Sequence, residues 1–221
     1  MGRKRIVLEW LRVIAGLVVY SFGVHLMIYA NIGLASWECL GMGIAKQTPL
    51  NYGATMTIIS VLILITDLIL HEHIGFGTVF DALLSGYFVQ FWNDINPFPE
   101  NKSLLLGIAL YLAAFLFIAL SEFLCMGAGQ GCGPRDTLLI AISKRLHRVS
   151  FGTVVIIVSV TVLAAGFLLG GPIGVGTVLY SFGAGAVINF IFSLTHFKPE
   201  DIRQKSVVET LGILLKKKGS E

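Results

Sequence analysis

The segment from Val149 to Phe197 contains no Asp, Glu, Lys or Arg. A helix needs roughly 20 mostly apolar residues to cross the hydrocarbon core of a bilayer, so this segment is long enough for two crossings. Gly170-Gly171-Pro172 divides it near its middle, because glycine and proline together interrupt regular structure. Uncharged stretches also occur at 13–37, 47–66 and 103–121. We therefore predict an all-α chain built from membrane-spanning helices.

Charged residues make up 13% of the 221 residues, against about 25% in an ordinary soluble domain. The mean hydropathy is +0.82. These values exclude soluble enzymes, nucleic-acid-binding proteins and disordered scaffolds. The glycine run at 127–133 lacks the strand–turn–helix context of a dinucleotide-binding loop. Because no set of nucleophile and base stands out either, we predict neither an enzyme nor a cofactor or metal site.

The uncharged stretches and their borders predict six spans, at about 6–29, 51–71, 75–95, 103–125, 150–170 and 174–195. Lys and Arg concentrate near both ends of the chain, at 3–5 and 198–218. Positively charged segments stay on the cytoplasmic side of a membrane. We therefore predict a multi-pass protein of the cell membrane with both termini in the cytoplasm.

Two parts of the sequence resemble each other at a shift of 99 residues. Ile-Gly-x-Gly-Thr-Val at 74–79 recurs at 173–178, and Gln90 corresponds to Asn189. At a shift of 98, the glycine and acidic positions of 33–38 recur at 131–136. We predict one transmembrane domain over 1–198 that contains two repeats, at about 6–95 and 103–195.

Each repeat also contains a short segment of helical character, at about 36–47 and 134–147. Twelve helical residues rise about 18 Å, which is too short to cross the bilayer alone. If the short helices are re-entrant, there are six crossings and the repeats are inverted, as in many transporters. If each one crosses together with its lead-in, there are eight crossings, the repeats are parallel, and Lys46 and Lys102 become cytoplasmic. We favour the first arrangement because of the helix length.

The last segment, 199–221, has apolar residues at helical spacing and basic residues at its end. Pro199, Glu200 and Asp201 suit a first helical turn, and Lys216 to Lys218 suit a last one. We predict an amphipathic helix on the cytoplasmic face of the membrane, with a solvated tail as the alternative.

The glycine run at 127–133 is the strongest candidate for a functional site, because Pro134 then starts a helix. Backbone that is not helical cannot face lipid, so this run must lie against protein or a wet cavity. The first amides of a helix attract anions, and Arg135 adds a planar donor fork. We predict that the solute-binding residues are Trp37, Glu38, Gln130, Arg135 and Asp136, with Gln90 and Asn189 at equivalent places in the two repeats. In the structural alternative, Glu38 and Asp136 cap their own helices and Arg135 pairs with Glu38.

Three further ionisable residues lie inside predicted spans, where such groups mark ion pathways. We predict that His25, Asp67 and Asp81 couple a proton or ion, since both aspartates flank the turn at 71–73 and are able to approach each other. The alternatives are a histidine bonded to a neighbouring carbonyl and aspartates that stay wet near the headgroups. Arg12 lies one turn from Glu9, which we expect to be its partner.

Three cysteines, Cys39, Cys125 and Cys132, are an odd number in or beside apolar segments. We interpret them as packing residues, without a disulfide framework.

The motifs Gly-x-Gly-Pro-Arg-Asp-x-Leu at 131–138 and Gly-x-x-x-Trp-Glu-x-Leu at 33–40 resemble those of the YczE/YyaS/YitT group of bacterial integral membrane proteins. The resemblance covers 10–195. It departs at 36–38, where Ser-Trp-Glu stands in place of Pro-Trp-Asp. It implies location in the bacterial inner membrane and a helical fold, but no activity.

We predict a small secondary transporter or permease for an unidentified small solute, which Arg135 would hold if the solute is an anion. The alternatives are a membrane-embedded regulatory or accessory subunit and the solute-capturing subunit of a larger importer. The expected partners are the lipid bilayer, a small solute and either a second copy or another membrane protein.

Overall fold

A computed structural model describes residues 3–96, 99–131, 133–198 and 202–216, and all regular structure in these ranges is helical. Predictions that concern Cys132, Pro199 to Asp201 and Lys217 to Lys218 lie outside the described residues. The helices are α1 Arg3–Ala30, α2 Ser36–Gln47, α3 Tyr52–Ile69, α4 Phe76–Ile95, α5 Leu104–Ala128, α6 Pro134–Arg145, α7 Phe151–Leu168, α8 Val175–Leu194 and α9 Val207–Lys216.

Five helices are long and apolar enough to cross a membrane, namely α1, α3, α5, α7 and α8. The remaining predicted span, at 75–95, corresponds to the helix α4, which has 20 residues, as α8 has. It is not among the five, and Asp81, Gln90 and Asp94 are polar residues along its length. The prediction of an all-α protein with several apolar spans is confirmed.

Local signals in the sequence place the ends of several helices. The side chains of Asn51, Ser103 and Ser150 each accept a hydrogen bond from a backbone amide of the first turn, in α3, α5 and α7. Pro134 stands in the first turn of α6, where its missing N–H costs nothing. Gly129 ends α5 with φ 64°, a conformation that favours glycine.

The helices α1 and α5 form an antiparallel pair at the centre of the bundle. Glycines bring the two backbones together, since a Cβ on Gly23 would lie 3.2 Å from the carbonyl oxygen of Ala114. Gly16 faces Cys125 and Gly107 faces Ile32, so the end of one helix meets the start of the other. The helix α4 packs on α1 and α8 packs on α5, while α2 packs on α7 and α6 on α3.

The short helix α2 enters the bundle and leaves it at the same end. After α1 the chain turns back at Gly33, with φ 106°, and α2 begins beside the middle of α1, where the Tyr20 hydroxyl donates to Glu38 at 3.4 Å. Lys46, near the end of α2, donates to the carbonyl of Gly170 at 3.0 Å. The turn after α7 lies at the end of the bundle where α1 ends, because the Leu34 amide bonds the Pro172 carbonyl.

The second short helix, α6, enters from the other end. The turn after α5 includes Gly131, with φ 101°, and α6 ends where Lys144 and Arg145 contact Glu72 in the loop between α3 and α4. That loop lies at the start of α1, because the rings of Trp10 and Phe76 are 5.0 Å apart. We call this the basic end of the bundle, after Arg5, Lys144, Arg145, Arg203 and Lys205, and the other one the opposite end.

The turn after α1 and the turn after α5 make corresponding contacts. The amide of Gly77 donates to the carbonyl of Gln130 at 2.7 Å, and the amide of Gly176 donates to the carbonyl of Ile32 at 2.7 Å. The start of α4 is thus bonded to the turn after α5, and the start of α8 to the turn after α1.

The C-terminal helix α9 is shorter than the sequence suggested. It begins at Val207, so Ile202 precedes it. Ser206 and Glu209 bond to each other's backbone amides at 3.2 Å in both directions, which is the arrangement of a capping box. This local cap explains why the helix starts so late. Val208, Leu211 and Leu215 form an exposed apolar face, as an amphipathic helix requires.

Candidate functional site

The first turns of α2 and α6 meet inside the bundle through an ion pair. The Nη1 atom of Arg135 lies 2.7 Å from Oε1 of Glu38, and the Glu38 side chain is only 6% exposed. The guanidinium also lies over the ring of Trp37, with 5.5 Å between Cζ and the ring centroid. The pairing of Arg135 with Glu38 is the one expected in the structural alternative. It joins the two segments, 33–38 and 131–136, that share the glycine and acidic positions.

A cavity of about 250 Å³ adjoins this ion pair. Six of the other helices contribute to its wall besides α2 and α6, so it lies at the centre of the bundle. Its polar and aromatic lining comprises Tyr20, Trp37, Ser60, Asp81, Ser85, Ser121, Glu122, Arg135, Asp136, Ser159 and Tyr180.

Three carboxyl groups, those of Asp81, Glu122 and Asp136, line this cavity. A Cβ on Gly133 would lie 2.8 Å from Oδ2 of Asp81 and 3.8 Å from Oδ2 of Asp136, so these two carboxyls approach each other beside the start of α6. Glu122 of α5 interacts electrostatically with both. The cavity wall therefore holds more acidic groups than basic ones.

Glu122 was not among the residues predicted from the sequence. The sequence did contain an indication of its role, since Glu122 is a charged residue within the predicted span at 103–125. The sequence did not show that α5 turns this residue toward Asp81 and Asp136, which lie on other helices.

Three predicted solute-binding residues point elsewhere. The side-chain amide of Gln130 donates to Glu9 at 2.7 Å, at the basic end. Gln90 accepts from the amide of Gly53 at 3.1 Å and donates to Asp94, so it joins α3 to α4. Asn189 is exposed on α8. Of the predicted solute-binding set, Trp37, Glu38, Arg135 and Asp136 are brought together.

The three predicted coupling residues lie at separate places. Asp81 lines the central cavity. Asp67 is fully buried, and neither carboxyl oxygen has a hydrogen-bond partner among the described residues. His25 is bonded through Nδ1 to the side chain of Asn93 at 2.7 Å, rather than to a carbonyl of the backbone. It lines a second cavity, of about 430 Å³, at the opposite end of the bundle.

The expected pairing of Arg12 with Glu9 is wrong. Arg12 donates to the carbonyls of Phe123 and Gly127 at 3.2 and 3.3 Å, and it therefore caps the end of α5. Glu9 instead pairs with Arg5 at 3.4 Å and with Lys205 of the C-terminal segment. The tertiary contact with α5 offers Arg12 carbonyl acceptors that the sequence could not reveal.

A family model described as a family of unknown function (DUF6198) matches residues 7–193. The chain is 29% identical over 178 residues to an uncharacterized protein of Haemophilus influenzae, covering 80% of each protein. It is 28% identical over 194 residues to the uncharacterized membrane protein YczE of Bacillus subtilis, covering 85% of this chain and 87% of YczE.

A third relative is the uncharacterized protein YyaS of Bacillus subtilis. The identity is 27% over 169 residues, covering 74% of this chain and 82% of YyaS. No solved structure matches the chain.

Proposed function

Because the chain belongs to the DUF6198 family and is a multi-pass integral membrane protein with a YczE-type relative, we propose that it is a small secondary transporter for a small cationic solute. The single observation that carries this proposal is the cavity that adjoins the first turns of α2 and α6. It lies at the centre of a bundle of apolar helices and is lined by charged groups. Charged groups at such a depth are costly and mark solute or ion pathways.

The proposed architecture is a pair of inverted repeats, α1–α4 and α5–α8, each with a re-entrant short helix. The helices α2 and α6 both have 12 residues, α3 and α7 both have 18, and α4 and α8 both have 20. The antiparallel packing of α1 and α5 and the corresponding contacts of the two turns support inversion. In this arrangement α4 is the sixth crossing despite its polar residues.

Inverted repeats give a physical route to alternating access. When two halves of one chain have the same fold in opposite orientations, exchanging their conformations opens the cavity to one side or the other. The two turns, around Gly33 and around Gly131, are the places where this exchange would change the wall of the cavity. Their glycines at 33 and 131 have φ values that favour glycine, which lets the backbone turn there.

The charge of the cavity favours a cation over the anion that Arg135 suggested. Arg135 is already neutralised by Glu38 at 2.7 Å. Asp81, Glu122 and Asp136 then remain for the solute. A positive group between these carboxyls would relieve their mutual repulsion, whereas an anion would increase it.

The proposal is tested by the thermal stability of the purified protein with small cations and anions. We expect alkali, ammonium, guanidinium or alkylamine ions to raise the unfolding temperature, and matched anions to leave it unchanged. Glu122→Gln with Asp136→Asn should remove the effect, while the matched control Asp94→Asn, an exposed carboxyl on α4 outside the cavity, should keep it. Stabilisation by an anion that survives the paired substitution would refute the cationic solute.

For the membrane orientation, we propose that the basic end is cytoplasmic, with both termini there. The basic end carries the Lys and Arg residues named above, as the rule on positive charge requires. Thiol labelling of cysteines added at the termini should succeed only in inside-out vesicles. Labelling of either terminus in intact cells would overturn this orientation.

A second candidate function is that of an accessory subunit, and α9 is the feature that favours it. Val208 and Leu215 are 79% and 69% exposed on a helix outside the spans. The face they form would bind either the membrane surface or a partner protein. Vesicle binding by a peptide of this segment would support the membrane surface.

A further inference from the structure

The segment 202–216, which we call the strap, lies across the glycine run that separates α5 from α6. Gln204 contacts both sides of this break. Its Oε1 accepts from the amide of Gly131 at 3.0 Å, and its Nε2 donates to the carbonyl of Met126 at 3.1 Å. One side chain thus bridges the last turn of α5 and the backbone that leads into α6.

The rest of the strap adds contacts at the same place. The amide of Lys205 donates to the carbonyl of Gly129 at 3.0 Å, and the amide of Val207 donates to the carbonyl of Ile74 at 2.8 Å. Thr210 is fully buried, with its hydroxyl 3.4 Å from Oε1 of Gln130. The strap therefore gives hydrogen-bond partners to the Gly131 amide and the Gly129 carbonyl, which lie where the helix is broken.

The bonded residues are part of the wall of the central cavity. Met126 and Gly131 both line it, on the side of the basic end. Gln204 binds the backbone of both residues through its side-chain amide. The backbone at these two residues is therefore part of the cavity wall on that side, and the hydrogen bonds of Gln204 oppose its movement.

The corresponding turn at the opposite end is held differently. There Asn101 donates to the carbonyl of Ala30 at 2.8 Å and accepts from Asn31 at 3.3 Å. Asn101 belongs to the segment that leads directly into α5, so helices on both sides fix its position. The turn beside it also lines the second cavity, through Asn31, Gly33 and Leu34.

Polar groups form the hydrogen bonds and the ion pair that join the strap to the bundle. The apolar face of Val208, Leu211 and Leu215 points away from the bundle. Lys205 is held by an ion pair with Glu9. Val207, Ile213 and Leu214 of the strap are half-buried, so release of the strap uncovers these apolar side chains as well as breaking its polar contacts.

From these contacts we infer that the strap is a gate, which locks the glycine run and keeps the central cavity closed toward the basic end. Release of the strap frees the backbone from Met126 to Gly131 and opens the cavity on that side. This inference rests on the proposed function, because a gate has a role only if a solute enters the cavity.

Cys125 is a native reporter for the gate, since it lines the central cavity. In a Cys39→Ser and Cys132→Ser background, its rate of modification by a small cationic thiosulfonate reagent can be measured from each side of a vesicle. We expect Gln204→Ala to raise the rate from the basic end at least tenfold. Gln204→Glu, which keeps the acceptor for Gly131 and loses the donor to Met126, should give a smaller rise.

The matched control is Arg203→Ala, because the Arg203 side chain pairs with Glu209 and leaves the glycine run untouched. It should label at the parent rate. A variant that is merely unstable would expose Cys125 from both ends, whereas a released gate exposes it from the basic end alone. Parent rates in Gln204→Ala, or equal increases from both ends, would overturn the inference.

The two proposals fail in different ways. If cations stabilise the protein but Gln204→Ala leaves the labelling unchanged, the gate is wrong and the transporter proposal stands. If Gln204→Ala opens the cavity but no cation binds, the solute proposal is wrong and the strap still controls access to the cavity.

Discussion

Replacing Arg135 with alanine tests the ion pair at the centre of the site. The change leaves Glu38 without its counter-ion at a place where only 6% of its side chain is exposed. The Tyr20 hydroxyl, at 3.4 Å, is the remaining donor to that carboxylate. The stacked Trp37 ring loses its cationic partner as well.

Removing one partner of a buried ion pair costs about 3–5 kcal/mol, because the other charge stays buried and unpaired. Arg135 retains 20% exposure, so water partly reaches this pair and we expect the lower end of that range. For a chain of this size, a loss of about 3 kcal/mol lowers the unfolding temperature by roughly 6–12 °C. Adding Glu38→Gln to Arg135→Ala should recover much of this loss, since the unpaired charge is gone.

The measurement is thermal unfolding in detergent of the parent, the two single variants and the double variant. Arg135→Lys serves as a fourth variant, because it keeps the charge and loses the planar fork. It should fall between the parent and Arg135→Ala. If Arg135→Ala unfolds at the parent temperature, or if Glu38→Gln restores nothing, the pair is not the structural link between α2 and α6.

Three further predictions concern the remaining elements. The hydrogen bond from Lys144 holds the pKa of Glu72 below its usual value. This contact therefore stabilises the fold above about pH 4.3, which is the pKa of an unfolded Glu. Its contribution is lost as the pH falls through the folded pKa. Glu72→Gln should remove that part of the acid sensitivity of the unfolding temperature. Gly33→Ala should lower the free energy of unfolding by more than about 2 kcal/mol, because φ is 106° and a Cβ would clash with the backbone nitrogen of Gly174. The control Gly185→Ala has open space around it. It should leave the free energy of unfolding unchanged or raise it by up to about 1 kcal/mol. Asp67→Asn should unfold at no lower a temperature than the parent, because an amide costs less to bury than an unpartnered carboxylate.

Each of these has a clear contrary result. An unchanged acid profile in Glu72→Gln would show that the contact with Lys144 does not contribute to stability. Equal effects of the two glycine substitutions would mean that the turn at 31–35 tolerates a side chain. A large drop for Asp67→Asn would show that the carboxylate has a partner or a role that the geometry does not reveal.

The sequence by itself determined the elements of this protein. Uncharged stretches of sufficient length predicted the spans, and glycine and proline predicted their ends, because lipid excludes both charge and unbonded backbone. The short helix at 36–47 was predicted with the observed bounds, and the pair of Arg135 with Glu38 was one of two alternatives. The spans and the short helix follow from local composition, which the chain carries in every conformation, whereas the structure was needed to choose between the two alternatives for Arg135.

Tertiary structure alone decided which side chains meet. Glu122 and Asp81 are 41 positions apart on different helices, and only the packing of α4 and α5 against α1 turns both into one cavity. The same packing directed Gln130 toward Glu9 and gave Arg12 carbonyl partners on α5. The physical reason is that a helix presents its side chains around its whole circumference, and the sequence does not fix which face a neighbour covers.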